Sequence, residues 1–224
     1  PTRGRTPTGP DRGAIWQGCV VEHVLTRSVR DSAAVLDATL GPEVGAPYTI
    51  APAERPYLEE VSREPRALQI AMTTRPMLGE TVDPECVRAV EDAAELLRSL
   101  GHTVIETHLP LDGTGFSLAF MTMVACELRG DMEEAARLTG KRLRASEFEP
   151  TTWALGLLGN RLRAADFVNA TRYLTSVSRE VSRFLEPWDL LLTPTVSTPP
   201  PPTGSLQPKP KDTMLLRLLG AFNS

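Results

Sequence analysis

The sequence is poor in the residue types that mark several classes of protein. Its 224 residues include only three cysteines, three histidines and 5% aromatic residues. The cysteines at positions 19, 86 and 126 are odd in number and far apart, so they provide neither a disulfide framework nor a zinc ribbon. No histidine has a second ligand at metal-binding spacing. We therefore expect reduced thiols, no metal, no cofactor and a cytoplasmic location.

Long apolar runs and an excess of one charge are also missing. The most continuous apolar stretch, residues 116–126, is shorter than the roughly 18 residues that suggest a membrane span. The 24 Lys and Arg residues are spread among 28 Asp and Glu residues, which gives a formal net charge of −4. No basic stripe of the kind that binds nucleic acid is present. We expect neither a membrane nor a nucleic-acid partner.

A strand–helix–strand unit is the clearest pattern in the chain. An apolar run at residues 67–72 predicts a strand. Asp83 and Pro84 then have the properties of an N-cap and a first helical residue, and the helix ends before Gly101. A second strand is predicted at residues 103–109. A crossover of this length makes the two strands parallel and the connection right-handed, so the sequence predicts an α/β fold.

Two further helices follow from capping and periodicity. Ser28, followed three residues later by Asp31, resembles a capping box and predicts a helix start there, with the helix ending at Gly41. Between residues 164 and 185, apolar positions recur at intervals of three and four. That spacing predicts a helix with one face in a core groove.

Two apolar runs predict more deeply buried elements. Residues 116–126 are apolar on almost every side of a helix, and we expect Gly130 to end or kink that helix. Residues 189–193 are nearly all leucine, which predicts a strand in the centre of a parallel sheet.

Four stretches and a closing tetrapeptide carry a family resemblance. They are PTRGRTP at residues 1–7, VEHVLTRSVRDSAAVLDATLGP at 21–42, VDPECVRAVEDAAELLRSLGHTV at 82–104, DLLLTPTVSTPPPPTG at 189–204 and the final AFNS. In this order the chain resembles the amidase-signature family of hydrolases, and in particular its branch of cyclic-oligoamide hydrolases. The resemblance covers nearly the whole chain.

The resemblance implies a fold and a mechanism. The fold is a mixed central sheet covered by helices on both faces, of which residues 1–224 form a single partial domain. Family members cleave amides with a nucleophilic serine, a second serine that follows a cis peptide bond, and a lysine that acts as base through the second serine. All three precede the 1–7 stretch in family order. We therefore expect a piece that lacks the catalytic N-terminal part and the C-terminal end, and is inactive alone.

The resemblance also implies a small-molecule amide substrate and three substrate-binding residues. Cys126 lies in the helix region that partly lines the family's pocket. Thr195 follows the leucine-rich strand, at the end where α/β sheets present loops to ligands, although turn chemistry at a strand end also explains it. Asn223 is the third candidate. A homodimer of the full-length protein is a further expectation.

Other interpretations stay open from the sequence alone. The same acyl-transfer machinery accepts an ester or a carbamate, and a non-catalytic scaffold or binding remnant is a third possibility. Arg3 and Arg5 follow the place of the nucleophile in family order and are candidates to brace the active-site loop. Asp31 is better explained as a helix-capping charge than as a site residue.

Overall fold

The computed structural model describes residues 2–9, 13–76, 78 and 81–206. The chain divides into two compact units, Pro1–Arg66 and Ala67–Ser224. No helix among the described residues is long and apolar enough to cross a membrane.

The first unit is held together by helix capping. It contains a short turn at Ile15–Gly18, helix α1 at Val29–Thr39 and helix α2 at Tyr57–Glu60. The predicted cap is confirmed, because Ser28 Oγ accepts a hydrogen bond from the Asp31 N–H at 3.1 Å. Asp37 of α1 accepts hydrogen bonds from the N–H groups of Tyr57 and Leu58 at 2.7 and 2.8 Å. Its carboxylate thereby caps the N-terminus of α2 and joins the two helices.

The second unit alternates strands and helices. Its elements in chain order are β1 (Gln69–Met72), α3 (Pro84–Ser99), β2 (Thr103–Glu106), α4 (Gly113–Thr139), a short 3₁₀ turn (Ala145–Glu147), α5 (Pro150–Arg161), α6 (Ala164–Leu185) and β3 (Leu190–Leu192). The predicted helix at 164–185 is confirmed with those bounds, whereas the sequence patterns did not predict α5.

The three described strands form one parallel sheet in the order β2-β1-β3. Ile70 of β1 pairs with Val104 of β2 on one side and Leu190 of β3 on the other. The predicted parallel pairing of the first two strands, and with it the α/β class, is confirmed. Within the described residues, however, the central strand is β1, and Leu190 of β3 is 52% exposed. Leucine content alone does not fix the order of strands, because it reports burial by any neighbour, including helices.

The core of the second unit lies where helix α3 packs on the sheet. Asp83 Oδ1 accepts a hydrogen bond from the Glu85 N–H at 2.8 Å, which confirms the predicted N-cap. From that start, the helix turns Val90 and Ala94 inward against Ile70. Ala94 is fully buried and Ile70 is 1% exposed, as expected where an amphipathic helix covers a parallel strand.

Helix α4 corrects one expectation, because it runs through Gly130 without a break and ends only at Gly140. Glycine costs roughly 1 kcal/mol in a helix interior, a cost that packing can offset. Here Met123 on one side of Gly130 and Met132 on the other are buried and hold both halves of the helix. Gly140 adopts a left-handed φ of 67°, the usual conformation of a helix C-cap.

A glycine allows α4 and α5 to cross at close range. A β-carbon at Gly159 of α5 would lie 2.0 Å from the backbone oxygen of Ala125 in α4. No side chain fits there without moving the helices apart. By contrast, a β-carbon at Gly130 would meet nothing within 4 Å.

These two glycines give opposite predictions for stability. We expect Gly159→Ala to lower the free energy of unfolding by about 1–3 kcal/mol, the usual cost of overpacking. Gly130→Ala is the matched control and should raise it by about 0.5–1 kcal/mol, because alanine favours the helix. Urea unfolding followed by circular dichroism measures both. Equal effects of the two substitutions would contradict the close helix crossing.

Candidate functional site

The loops that leave β1 and β3 start side by side at one edge of the sheet. Met72 and Leu192 are paired at the ends of these parallel strands, and the Thr73 N–H donates to the Leu192 carbonyl oxygen at 3.0 Å. Because the carboxyl ends of parallel strands meet at the same edge, the two loops border a common space.

Both loops are fixed by hydrogen bonds close to the sheet. Thr73 is 3% exposed, and its hydroxyl accepts a hydrogen bond from the Arg75 N–H at 3.2 Å. Further along, the Asp83 N–H donates to the carbonyl oxygen of Ser197 at 2.8 Å. Asp83 also caps α3, so the loop after β3 is tied to the helix that follows β1.

Between these loops lies a cleft of about 550 Å³, which we call the sheet-edge cleft. Its described lining combines apolar side chains, four hydroxyl groups and one guanidinium group. Its lining residues are Arg75, Pro76, Leu78, Val82, Ser117, Thr193, Pro194, Thr195, Val196 and Ser197. An apolar pocket with a few convergent polar groups is the usual form of a small-molecule site.

A second opening of about 500 Å³ lies among the helices and is called the helix cleft. Its lining comes from three helices and the α5–α6 connection. Its residues are Cys126, Glu127, Gly130, Asp131, Gly159, Leu162, Arg163, Ala164 and Phe167. The close crossing at Gly159 therefore also fixes the position of α5 along this cleft.

The start of α6 is fixed where it borders the helix cleft. The Asp166 carboxylate accepts a hydrogen bond from the Arg163 N–H at 2.9 Å and two from its guanidinium group at 3.0 and 3.1 Å. The guanidinium group and the backbone N–H of Arg163 both lower the pKa of Asp166. The carboxylate remains charged at neutral pH and caps the helix.

Cys126 lies in α4 on the wall of the helix cleft. Burial raises the pKa of its thiol, and the negative charges of Asp166 and Glu127 raise it further. A thiol in such surroundings is protonated at neutral pH and is a poor nucleophile. The side chain therefore contributes a small, polarizable surface to the wall of the cleft.

The structure does not place the predicted substrate-binding residues in one pocket. Thr195 lines the sheet-edge cleft and Cys126 lines the helix cleft. The two clefts meet the same helix at different points, because Ser117 and Cys126 of α4 are nine residues apart, roughly 14 Å along the axis. Asn223 lies outside the described residues. The roles of all three in binding remain predictions.

The tyrosine of α6 anchors the first turn of α4, near Ser117. Asp112, the N-cap of α4, accepts hydrogen bonds from the Gly115 N–H at 3.0 Å and the Tyr173 hydroxyl at 3.2 Å. The bond from Gly115 is the main cause, and the bond from Tyr173 a lesser one, of a lowered pKa of Asp112. The sequence patterns did not predict this link between α4 and α6.

Arg3 and Arg5 support the first unit. The Arg3 guanidinium lies 5.0 Å from the centre of the Tyr48 ring, and that of Arg5 lies 5.7 Å from the Tyr57 ring. Arg5 Nη1 also donates to the carbonyl oxygen of Ala51 at 3.3 Å. These contacts account for both side chains as braces of the N-terminal loop.

In the part of the chain that the structure describes, neither cleft contains a serine or cysteine paired with a lysine or histidine base. His23 Nε2 lies 2.8 Å from Ser32 Oγ, but both residues are on the first unit and line neither cleft. Among the described residues, no group of three or more His, Cys, Asp and Glu side chains could hold a metal ion. None of the three cysteines, all of them among the described residues, forms a disulfide bond.

The family is shown by a sequence match over almost the whole chain. The protein-family model described as Amidase matches residues 1–223. The chain therefore belongs to the amidase family, which confirms the resemblance in the sequence.

Individual relatives agree with this assignment. The chain is 32% identical over 212 residues to the 6-aminohexanoate-cyclic-dimer hydrolases of Pseudomonas sp. (strain NK87) and Paenarthrobacter ureafaciens, covering 92% of this chain and 43% of each relative. It is 31% identical over 230 residues to the putative amidase AmiC of Mycobacterium tuberculosis, covering 97% and 44%. The chain thus spans less than half the length of these curated relatives.

Solved structures confirm the fold. A 6-aminohexanoate cyclic dimer hydrolase complexed with substrate superposes with a TM-score of 0.82 at 26% identity, covering 100% of this chain and 49% of the other. A bacterial aryl acylamidase of the amidase-signature family superposes with a TM-score of 0.74 at 20% identity, covering 90% and 42%.

The raised pKa of Cys126 gives a prediction for thiol reactivity. We expect iodoacetamide to modify Cys126 slowly at pH 7.5 and faster as the pH rises past the ordinary thiol value of roughly 8.5. Mass spectrometry of the modified peptide measures the rate, with a short cysteine peptide as the reference thiol. A half-maximal rate at a pH below that of the reference would contradict the predicted direction.

Proposed function

We propose that the natural polypeptide containing this chain is an amidase that hydrolyses a carboxamide through a serine acyl-enzyme. The observation that carries the proposal is the amidase-family match over residues 1–223. Support for the reaction comes from the 32% identity to two hydrolases named for a cyclic dimer of 6-aminohexanoate.

The proposed reaction has two halves. A serine hydroxyl attacks the carboxamide carbon, its proton passes to the base, and backbone donors stabilise the negative oxygen of the tetrahedral intermediate. The carbon–nitrogen bond then breaks, and the amine leaves with a proton. Water attacks the acyl-serine ester, which releases the carboxylic acid and restores the hydroxyl.

The catalytic groups of this proposal lie upstream of residues 1–7. They are the serine nucleophile, the second serine and the lysine that the family resemblance implies. Neither cleft of this chain contains a serine with a lysine or histidine at hydrogen-bond distance among the described residues. We propose that the chain belongs to a single amidase-signature domain and supplies substrate-binding walls.

Three residues are proposed to contact the amide substrate. Cys126 would shape the helix cleft, and Thr195 would offer a hydroxyl in the sheet-edge cleft. Asn223 is the third, by family resemblance. We also propose a cytoplasmic enzyme and a homodimer of the full-length protein. Three cysteines without a disulfide fit a reducing location.

Release of amine from simple carboxamides tests the proposed activity. The natural polypeptide that contains residues 1–224 should hydrolyse them, and residues 1–224 alone should not. Ser32→Ala removes the hydroxyl beside His23 and should leave the rate of the natural polypeptide unchanged. Hydrolysis of esters or carbamates but not of amides would show that the enzyme is an ester or carbamate hydrolase instead. Turnover by residues 1–224 alone that vanishes on one substitution would refute the upstream location of the catalytic groups.

Substitution of Cys126 separates a wall residue from a catalytic one. In the natural polypeptide, Cys126→Ala should change KM or substrate preference by roughly three-fold or more and leave kcat within about two-fold. Cys86→Ala is the matched control, because Cys86 is also half-buried but lines neither cleft, and it should change neither constant. Loss of kcat at unchanged KM in Cys126→Ala would instead indicate a part in the chemical step.

A further inference from the structure

We propose that the sheet-edge cleft is a binding site for an aliphatic carboxylate, held by the guanidinium group of Arg75. Arg75 is the one ionised side chain among the described lining residues, so this lining has a formal charge of +1. The chain as a whole has a formal net charge of −4, opposite in sign to this lining.

The position of Arg75 is set by the end of strand β1. Its N–H donates to the buried Thr73 hydroxyl at 3.2 Å, and Arg75 lies three residues after Met72, the last paired residue of the strand. The backbone of Arg75 therefore leaves the sheet at a fixed point, and both Arg75 and Thr195 line the cleft. A charged side chain on a fixed backbone is better prepared for recognition than one on an unattached loop.

The other polar groups of the cleft help to identify the ligand chemistry. Four hydroxyl groups line the same cleft, on Ser117, Thr193, Thr195 and Ser197. A guanidinium fork binds a carboxylate through two parallel N–H···O bonds, and hydroxyl groups can donate to the remaining lone pairs. This set of donors suits an anion with two oxygens.

The apolar part of the lining favours a carboxylate on a hydrocarbon chain over a free inorganic anion. Leu78, Val82 and Val196 contribute hydrocarbon surface to the cleft, together with Pro76 and Pro194. Burial of this apolar surface against a hydrocarbon chain lowers the free energy of binding, whereas an inorganic anion offers no such contact. A volume of about 550 Å³ is within the range of small-molecule pockets.

As a statement about substrates, this inference rests on the amidase function proposed above. It assigns to that enzyme amides that have a second, free carboxylate on an aliphatic chain. In this view the sheet-edge cleft holds that carboxylate of the substrate. Neutral amides would still be cleaved, without the contribution of this contact to binding.

Equilibrium binding of matched probes to the natural polypeptide tests the inference. Sodium hexanoate and 1-hexanol have the same chain length and differ in charge, and inorganic phosphate is an anion without a hydrocarbon chain. Isothermal titration calorimetry at low ionic strength gives each Kd, because salt screens an exposed cation. We expect the Kd of hexanoate to be lower than that of either other probe by a factor of about ten or more.

Variants assign that preference to Arg75. In Arg75→Gln the affinity for hexanoate should fall about ten-fold, close to that for 1-hexanol. Arg75→Lys should recover only part of it, because lysine lacks the planar fork. Arg179→Gln is the control, since it removes an exposed arginine of α6 that does not line the cleft, and it should bind hexanoate normally.

Several results would overturn the inference. Equal affinities for hexanoate and 1-hexanol in the unmodified protein would do so, whatever the variants show. An unchanged preference in Arg75→Gln would place the anion elsewhere, and phosphate binding as tightly as hexanoate would exclude a hydrocarbon-linked carboxylate. Benzamide hydrolysis by the same preparations separates the two proposals. Benzamide turnover without a preference for hexanoate refutes only the carboxylate site. A preference for hexanoate without benzamide turnover refutes only the amidase function.

Discussion

Parallel pairing of β1 with strands on both sides is the constraint on which the second unit depends. It brings the ends of β1 and β3 to one edge, so that the loops beginning at Thr73 and Thr193 face each other. The same pairing makes α3 cross over the sheet, which buries Val90 and Ala94 and places Asp83 within reach of Ser197. Backbone pairing of the strands therefore sets the position of the sheet-edge cleft, and the side chains of the two loops set its lining.

The helices depend on a different constraint, the close approach of α4 and α5. Gly159 permits it, because any β-carbon there would collide with the Ala125 backbone. α6 is joined to α4 by the Tyr173 hydroxyl, which donates to Asp112 at the N-cap of α4. The pairing of Asp166 with Arg163 fixes the start of α6. The helix cleft is what remains between three helices held in this way, with Cys126 on its wall.

The sequence predicted those elements whose signals are local. Asp83-Pro84 and Ser28 marked helix starts, and the spacing of apolar residues between 164 and 185 marked α6. It failed where tertiary packing decides, because Gly130 lies inside α4. β1 is the central one of the three described strands, and the predicted central place of β3 in the sheet of the whole domain stays a prediction. Thr195 could be selected because strand ends present ligands, and the same rule could have selected Arg75 after β1. That Thr195 and Cys126 line different clefts could not be predicted from the sequence, because it depends on how α4 packs in the folded chain.

The central claim is that residues of this chain form the substrate-binding walls of an amidase. Photolabelling measures this directly, with the natural polypeptide, a carboxamide that carries a diazirine on its aliphatic chain, and peptide mass spectrometry. The account predicts labels within 193–197, within 126–131 or on both segments, and their loss when excess unlabelled amide competes. Labels confined to other segments, or labels in these segments that persist under competition, would contradict it.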